Sequence, residues 1–321
     1  MVYEAFLNKV VASLKSRLGD TFTVSVEAIP KNNGLLSDGL CLRENGALLA
    51  PTIYLAPYFK DLENGKPFSC ILEDILSAAQ TQPLPKPEAF QRFSSKEEVL
   101  KSVAFRVVNE SANEKLLLRL PHISFSDLDL ALIFFLSQEL SDAACLTSLI
   151  YKRHLIDWGL SEAEMAQAAM VNTPRLFPAQ IRTMQAVMKE MAREAMGSAF
   201  EEEAMDELLS AFSPAVPLYV LSNTQGLYGA SCLFYKGILK DFADKNGSDY
   251  YILPSSIHEV LLTPAEPDIS YEDLAQTVSS INAAEVPLED RLSNHIYRYF
   301  REQDALTAVF TSSVPIETEN P

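Results

Sequence analysis

Tyr250-Tyr-Ile-Leu-Pro-Ser-Ser-Ile-His-Glu-Val-Leu-Leu-Thr-Pro264 sets two apolar, strand-like runs around Pro254, Ser255, Ser256, Ile257, His258 and Glu259. Two hydroxyls, an imidazole and a carboxylate thus stand between runs whose composition predicts burial. Polar groups in that position are paired or cost free energy, so this connection is the first candidate for a site. The runs on either side of it decide the fold class. Residues 218–221 read as a strand, 223–226 as a turn, and 229–235 as a second strand. Residues 238–243 lie in a helix that ends near Asn246-Gly247, residues 271–282 form another, and 296–300 with 306–310 form a terminal hairpin. The order is β-β-α-β-β-α-β-β. Short links favour antiparallel pairing with helices packed on one face. The expected class is therefore α+β, with small, mostly antiparallel sheets and packed helices in two to three modules.

Working back toward the N-terminus, Pro214 and Pro217 mark a boundary. Residues 180–209 read as a long helical zone, and seven of the eight methionines lie between Met165 and Met205. Met184, Met188 and Met191 repeat at four and three, as a core stripe does, although methionine-rich helices also form adaptable binding surfaces. Ser161-Glu-Ala-Glu164 is a capping box that starts a helix running to about Asn172, where Thr173-Pro174 is expected to stop it. Gly159 closes a short helix before it. Residues 99–105 read as a helix, or as a helix passing into a strand. Residues 116–120, 129–136 and 145–151 read as strands.

Pro83-Leu-Pro-Lys-Pro87 marks an earlier boundary. Before it, an amphipathic helix through Tyr3, Phe6, Val10 and Leu14 ends at Gly19. Strands follow at 22–26, 39–43 and 53–55, with turns at Asn32-Asn33-Gly34 and Asn45-Gly46, and a helix at 68–76 closes the group. The expected modules are 1–82, 88–212 and 215–312, with a tail at 313–321.

At 321 residues the chain exceeds the size at which one core usually stops growing. Its 26 basic and 43 acidic residues give a formal charge of -17. Such a surface repels phosphate backbones and anionic headgroups, so neither nucleic acid nor membrane is an expected partner. Cys41, Cys70, Cys145 and Cys232 are far apart and form no C-x-x-C pair. Their neighbours are mostly apolar, and they read as reduced, buried thiols of a cytoplasmic protein. The first ten residues lack the basic start and apolar run of a signal peptide.

Ser256 and His258 face the same way in an extended strand, which suggests nucleophilic catalysis with Ser255 or Ser256 as nucleophile and Glu259 nearby. The chain has no G-x-S-x-G elbow, and no acid is placed to orient the imidazole. The competing account is that Ser255, Ser256 and His258 satisfy backbone groups at a strand end. His258-Glu259 begins like H-E-x-x-H, but Leu262 stands where the second histidine would be. His122, His154, His258 and His295 contain no pair at ligand spacing, so no metal and no cofactor is expected. Gly226-Leu-Tyr-Gly229-Ala-Ser231 lacks the phosphate-loop pattern and reads as a tight turn. Lys152-Arg153-His154 is a basic cluster, and Trp158 beside it reads as a core anchor.

Several motifs occur together in one order. They are Asn32-Asn33-Gly34 with Gly39, Ala50-Pro-Thr-Ile-Tyr-Leu55, His154-Leu155 with Trp158-Gly159, and Ala169 with Asn172-Thr-Pro-Arg-Leu176. Tyr219-Val-Leu221 with Asn223, Gly229-Ala230, Ile252 to Val260, and Leu292-Ser293 before Ile296-Tyr297 complete the series. Together they resemble a bacterial family, domain of unknown function 5688, over nearly the whole chain. More distantly the chain is similar to the UPF0354, or domain of unknown function 1444, proteins. The resemblance implies a bacterial, cytoplasmic setting and carries no mechanism.

The sequence supports three functional readings. The leading one is a non-enzymatic module that binds a protein or peptide, with candidate contact residues Asn223, Ser231, Arg153, His154, Trp158, Asn172 and Arg175. The second is a hydrolase-like enzyme centred on Ser255 or Ser256 and His258, with hydrogen bonds from Asn223 or Ser231. The third is an anion or nucleotide binder using Arg153, His154 and Arg175.

Overall fold

The computed structural model describes residues 2–45, 52–81, 95–141, 144–211, 216–266, 270–312 and 316. The expected boundaries at Pro83-Pro87 and Pro214, the turn at Gly46, and all of the 313–321 tail but Ile316 lie outside the described residues. The chain forms two compact units, Met1–Ser95 and Lys96–Pro321. Both belong to the α+β class, and every strand pairing in them is antiparallel.

In the first unit, helix Tyr3–Leu18 buries Phe6, Val10 and Leu14 along one face. The spacing of four keeps these side chains on a single stripe. Strands β1 (Phe22–Pro30), β2 (Leu36–Glu44) and β3 (Thr52–Tyr54) form a sheet in that order. Asn33 adopts a φ of 57° in the turn between β1 and β2, a conformation that asparagine tolerates better than most residues. Helices Ala56–Glu63 and Phe68–Thr81 follow. Ile71 and Ile75 close a core with Leu40, Ile53, Leu55 and Phe6.

The second unit opens with helix Lys96–Ser102, which passes directly into β4 (Val103–Asn109). Strands β5 (His122–Phe125), β6 (Leu130–Ser141) and β7 (Ala144–Leu149) complete a four-stranded sheet centred on β6. The strand expected at 116–120 is absent, and Glu114–Leu117 is a short helix. Leu116, Leu117 and Leu120 point into one cluster with Val108 and Ile133. Four leucines in five positions give no period, so burial alone does not separate helix from strand.

Helix Lys152–Trp158 ends at Gly159, whose φ of 61° is the left-handed stop expected there. Ser161 accepts from Glu164 N–H and starts helix Glu162–Leu176. The stop expected at Asn172 does not occur, and the helix carries Pro174 in its last turn. Side-chain bonds from Asn172 and Thr173 to the preceding helix and strand hold this turn in place.

The start of the expected helical zone at 180–209 is also corrected. Ala179–Thr183 is strand β8, and the helices are Met184–Met196 and Glu202–Ala211. Strand β8 pairs with β9 (Tyr219–Asn223), with Gln180 opposite Ser222. It thereby forms one edge of a six-stranded sheet, in the order β13-β12-β10-β11-β9-β8. The other members are β10 (Tyr250–Leu253), β11 (Val260–Pro264), β12 (Ile296–Phe300) and β13 (Ala305–Phe310). Helices Ile238–Asn246 and Tyr271–Glu285 fall in the expected places. The strand expected at 229–235 is instead a 3-10 turn of helix, Gly229–Phe234, with residues 229–233 all buried. A segment buried on every side carries no alternation to read.

Candidate functional site

The connection from β10 to β11 lies alongside residues 290–293. Ile257 N–H donates to Asp290 O at 2.7 Å, Leu292 N–H to Ser255 O at 3.2 Å, and Ser293 N–H to Pro254 O at 3.1 Å. Ser256 and Arg291 form an isolated bridge. The Ser256 hydroxyl accepts from His258 N–H at 3.0 Å, a local turn that serves the backbone. The Ser222 hydroxyl donates to His258 O at 2.8 Å. The Ser255 and Glu259 side chains make no hydrogen bond among the described residues.

His258 holds its ring between two backbone groups and a carboxylate. Nε2 lies 3.3 Å from Asp290 Oδ1. Nδ1 lies 3.3 Å from Tyr228 N and 3.2 Å from Gly226 O. In the tautomer protonated at Nε2, the ring donates to Asp290 and accepts from Tyr228 N–H. Both nitrogens are then engaged, and neither meets a hydroxyl among the described residues. The ring also stacks on Tyr228, with centroids 5.9 Å apart and planes 14° from parallel. Tyr228 has a φ of 56°, which costs a non-glycine residue about 1–3 kcal/mol and needs enforcement by its surroundings. Its N–H bond to His258 and the Asn223 Nδ2 bond to Leu227 O, at 2.7 Å, supply that enforcement.

Asn223 also accepts from Gln225 N–H at 3.0 Å, so it shapes the whole turn. Ser231, buried beyond the turn, accepts from Val107 N–H at 3.1 Å. Asn223 and His258 therefore converge with Ser231 on the segment 224–231, while the Ser256 hydroxyl serves the N–H of His258. Asp290 and Arg106 join them unannounced: the Arg106 guanidinium lies 4.4 Å from the Tyr228 ring centre. Burial below this turn pushes the Cys232 thiol up to about 12, and its Sγ donates to Ser222 O. The burial expected of the cysteines holds here but not at Cys41, which is half-buried, or Cys70, which is exposed.

Asn172 serves a different place. Its Nδ2 donates to Leu100 O and Val103 O, at 2.8 and 3.0 Å. Thr173 Oγ1 accepts from Phe105 N–H at 3.0 Å. With Ser231 on Val107, these side chains cover the outer edge of β4, which would otherwise be an open pairing template. Arg175 lies 3.4 Å from Lys101 O. No hydrogen bond links it to Arg153 or His154.

Arg153, His154 and Trp158 form a third group around Tyr151. His154 meets Tyr151 edge-on at 5.6 Å and Trp158 at 5.4 Å. Arg119 and Arg153 each lie 5.4 Å from the Tyr151 ring centre. Burial, and then the charge of Arg153, lower the His154 pKa. His154 Nδ1 accepts from Tyr151 N–H at 3.2 Å, which closes the N-terminus of its own helix. No group of three or more His, Cys, Asp or Glu among the described residues could hold a metal ion.

The helices Met184–Met196 and Glu202–Ala211 present a different kind of surface. Met184, Val187, Met188, Met191 and Ala195 fall on one face about 100° wide. Lys189 and Arg193 lie roughly 150° around the helix from the centre of that face. Lys189 pairs with Glu202 and Asp206, both at 2.8 Å, and Arg193 lies 3.8 Å from Glu202. The second helix therefore engages the polar side of the first. None of the residues 184–196 is buried: Met188 is 48% exposed and Met191 63%. A cleft of about 320 Å³ between the helices is lined on the polar side by Gln185, Lys189, Asp206 and Ser210. The sequence shows the methionine period, but a period identifies a face and says nothing of what covers it.

The fold and these surfaces define an α+β protein with a covered β4 edge, an ordered His258 turn and an open apolar face on helix Met184–Met196. A family model described as a family of unknown function, DUF5688, matches residues 3–301, and the chain belongs to that family. No curated protein and no solved structure matches the chain. Among the described residues, no helix is long and apolar enough to cross a membrane.

Proposed function

We propose that this protein is a protein- or peptide-binding module whose docking surface is the methionine face of helix Met184–Met196. One observation carries the reading: the helix has an apolar face, yet none of its residues is buried. An amphipathic helix in a folded chain normally turns that face to the core. Met188 and Met191, on that face, are 48% and 63% exposed, and exposed apolar surface of this kind marks interaction sites. The hydrolytic alternative needs a histidine nitrogen free to take a hydroxyl proton. At His258 one nitrogen faces Asp290 and the other faces the 226–228 backbone, which favours binding over catalysis.

The test is site-specific photocrosslinking in the native host. A photoreactive residue at position 191 is expected to give a discrete adduct with a second protein. The same residue at Ile281, which is 50% exposed on another helix, is expected to give none. No adduct from position 191, or the same adducts from both positions, removes the reading.

A further inference from the structure

We infer that the methionine face takes a basic amphipathic helix of another protein. This inference rests on the proposed docking function, which by itself leaves the occupant open. Backbone chemistry selects a helix. Residues 184–196 satisfy their main-chain groups within their own helix, so they offer no ladder to an added strand. An extended segment laid on an apolar stripe would bury its own N–H and C=O groups without partners, whereas a helix satisfies them internally. Thirteen residues present a face about 20 Å long, which matches anchors at i, i+3 or i+4, and i+7 on a partner helix. Methionine side chains are unbranched and polarisable, so they repack around such anchors.

Charge selects a basic partner. Residues 184–211 hold seven acids and two bases. Both bases are tied into ion pairs, and Arg182 from β8 pairs with Glu190. Glu194, Glu201, Glu203 and Glu207 form no ion pair among the described residues. Glu194 lies about 70° around the helix from the centre of the methionine face, where it complements a lysine or arginine on the flank of a bound helix, and the other carboxylates add to the negative field around it. A second copy of this chain would bring the same formal charge of -17 to the contact. An anionic lipid surface is opposed for the same reason.

The experiment uses the full chain and a labelled synthetic peptide of leucine, tryptophan and lysine, patterned as an amphipathic helix. Controls are the same peptide with every lysine changed to glutamate, the lysine peptide with a central proline, and vesicles rich in phosphatidylserine. Binding is read by fluorescence anisotropy and self-association by sedimentation. The lysine peptide is expected to bind at least about tenfold more tightly than the glutamate peptide, about 1.4 kcal/mol. Both the central proline and the double variant Met188→Gln/Met191→Gln are expected to weaken it by about tenfold or more. The variant should keep the parent circular dichroism and Tm, since both side chains are exposed.

Equal binding of the two charge patterns, undiminished binding of the proline peptide, or undiminished binding by the double variant overturns the inference. So does tight vesicle binding, or a dimer that the double variant dissociates. In these cases a crosslink from position 191 would still support a docking face with another occupant. Absence of that crosslink removes the docking reading itself.

Discussion

Gly229→Ala is expected to lower the stability of the second unit by about 3 kcal/mol, the upper part of the usual overpacking range. A Cβ at this position would stand 2.1 Å from Ser222 Oγ, 2.4 Å from His258 O and 2.8 Å from Asn223 N. Two of the three neighbours are backbone atoms, and the third is a hydroxyl committed to His258 O. None can withdraw without opening the β9–β11 end of the sheet or the Tyr228 turn. The left-handed region is not involved, because the φ of Gly229 is not positive. The requirement is for close approach, not for backbone freedom. Urea unfolding of the variant checks the size of the loss. A change below about 0.5 kcal/mol would mean that the turn relaxes freely and that His258 does not fix it.

The second large effect concerns the edge of β4. Asn172→Ala leaves Leu100 O and Val103 O without their side-chain donor, and Thr173→Val leaves Phe105 N–H without an acceptor. Each change orphans buried main-chain groups, at about 1–3 kcal/mol per group. The double variant is expected to lose at least about 3 kcal/mol. It also leaves the Val103–Phe105 part of the β4 edge without its side-chain partners, so that this apolar stretch can pair with another chain. The expected signs are a lower urea midpoint and concentration-dependent light scattering near that midpoint. Binding of the lysine peptide to the folded fraction should be unchanged. Unchanged stability with lost peptide binding would instead return Asn172 to the docking site.

Much of the fold is legible from local pattern. The capping box at Ser161, the left-handed stops at Gly159 and Gly247, and the terminal hairpin all stand where short-range chemistry places them. The misplacements occur where burial erases the period. Gly229 to Leu233 are small or apolar and buried throughout, and Leu116 to Leu120 is a leucine cluster. Strand β8 reads as part of the helical zone because Ala179-Gln-Ile-Arg-Thr183 is too short to declare its own period, and its identity comes from pairing with β9.

The site is legible in the same uneven way. Ser256 and His258 do serve the backbone of their own turn, which is one of the two roles their spacing allows. Asp290 lies 32 residues from His258 and Arg106 still further from Tyr228, so no local motif joins them. Asn172, Trp158 and His258, each singled out by residue type, are committed to three separate pieces of structure. The methionine stripe is visible at once, but its exposure depends on the second helix packing against the polar side of the first.

The most direct measurement is the rate of methionine oxidation, residue by residue, under mild peroxide. Met165 is fully buried and serves as the internal reference, while Met191 is 63% exposed. In the purified chain, Met191 is expected to form sulfoxide far faster than Met165. In living host cells, with the docking face occupied, the ratio should fall several-fold. A ratio equally high in both settings would contradict docking at this face. A ratio near one in the purified chain would contradict the open helix itself.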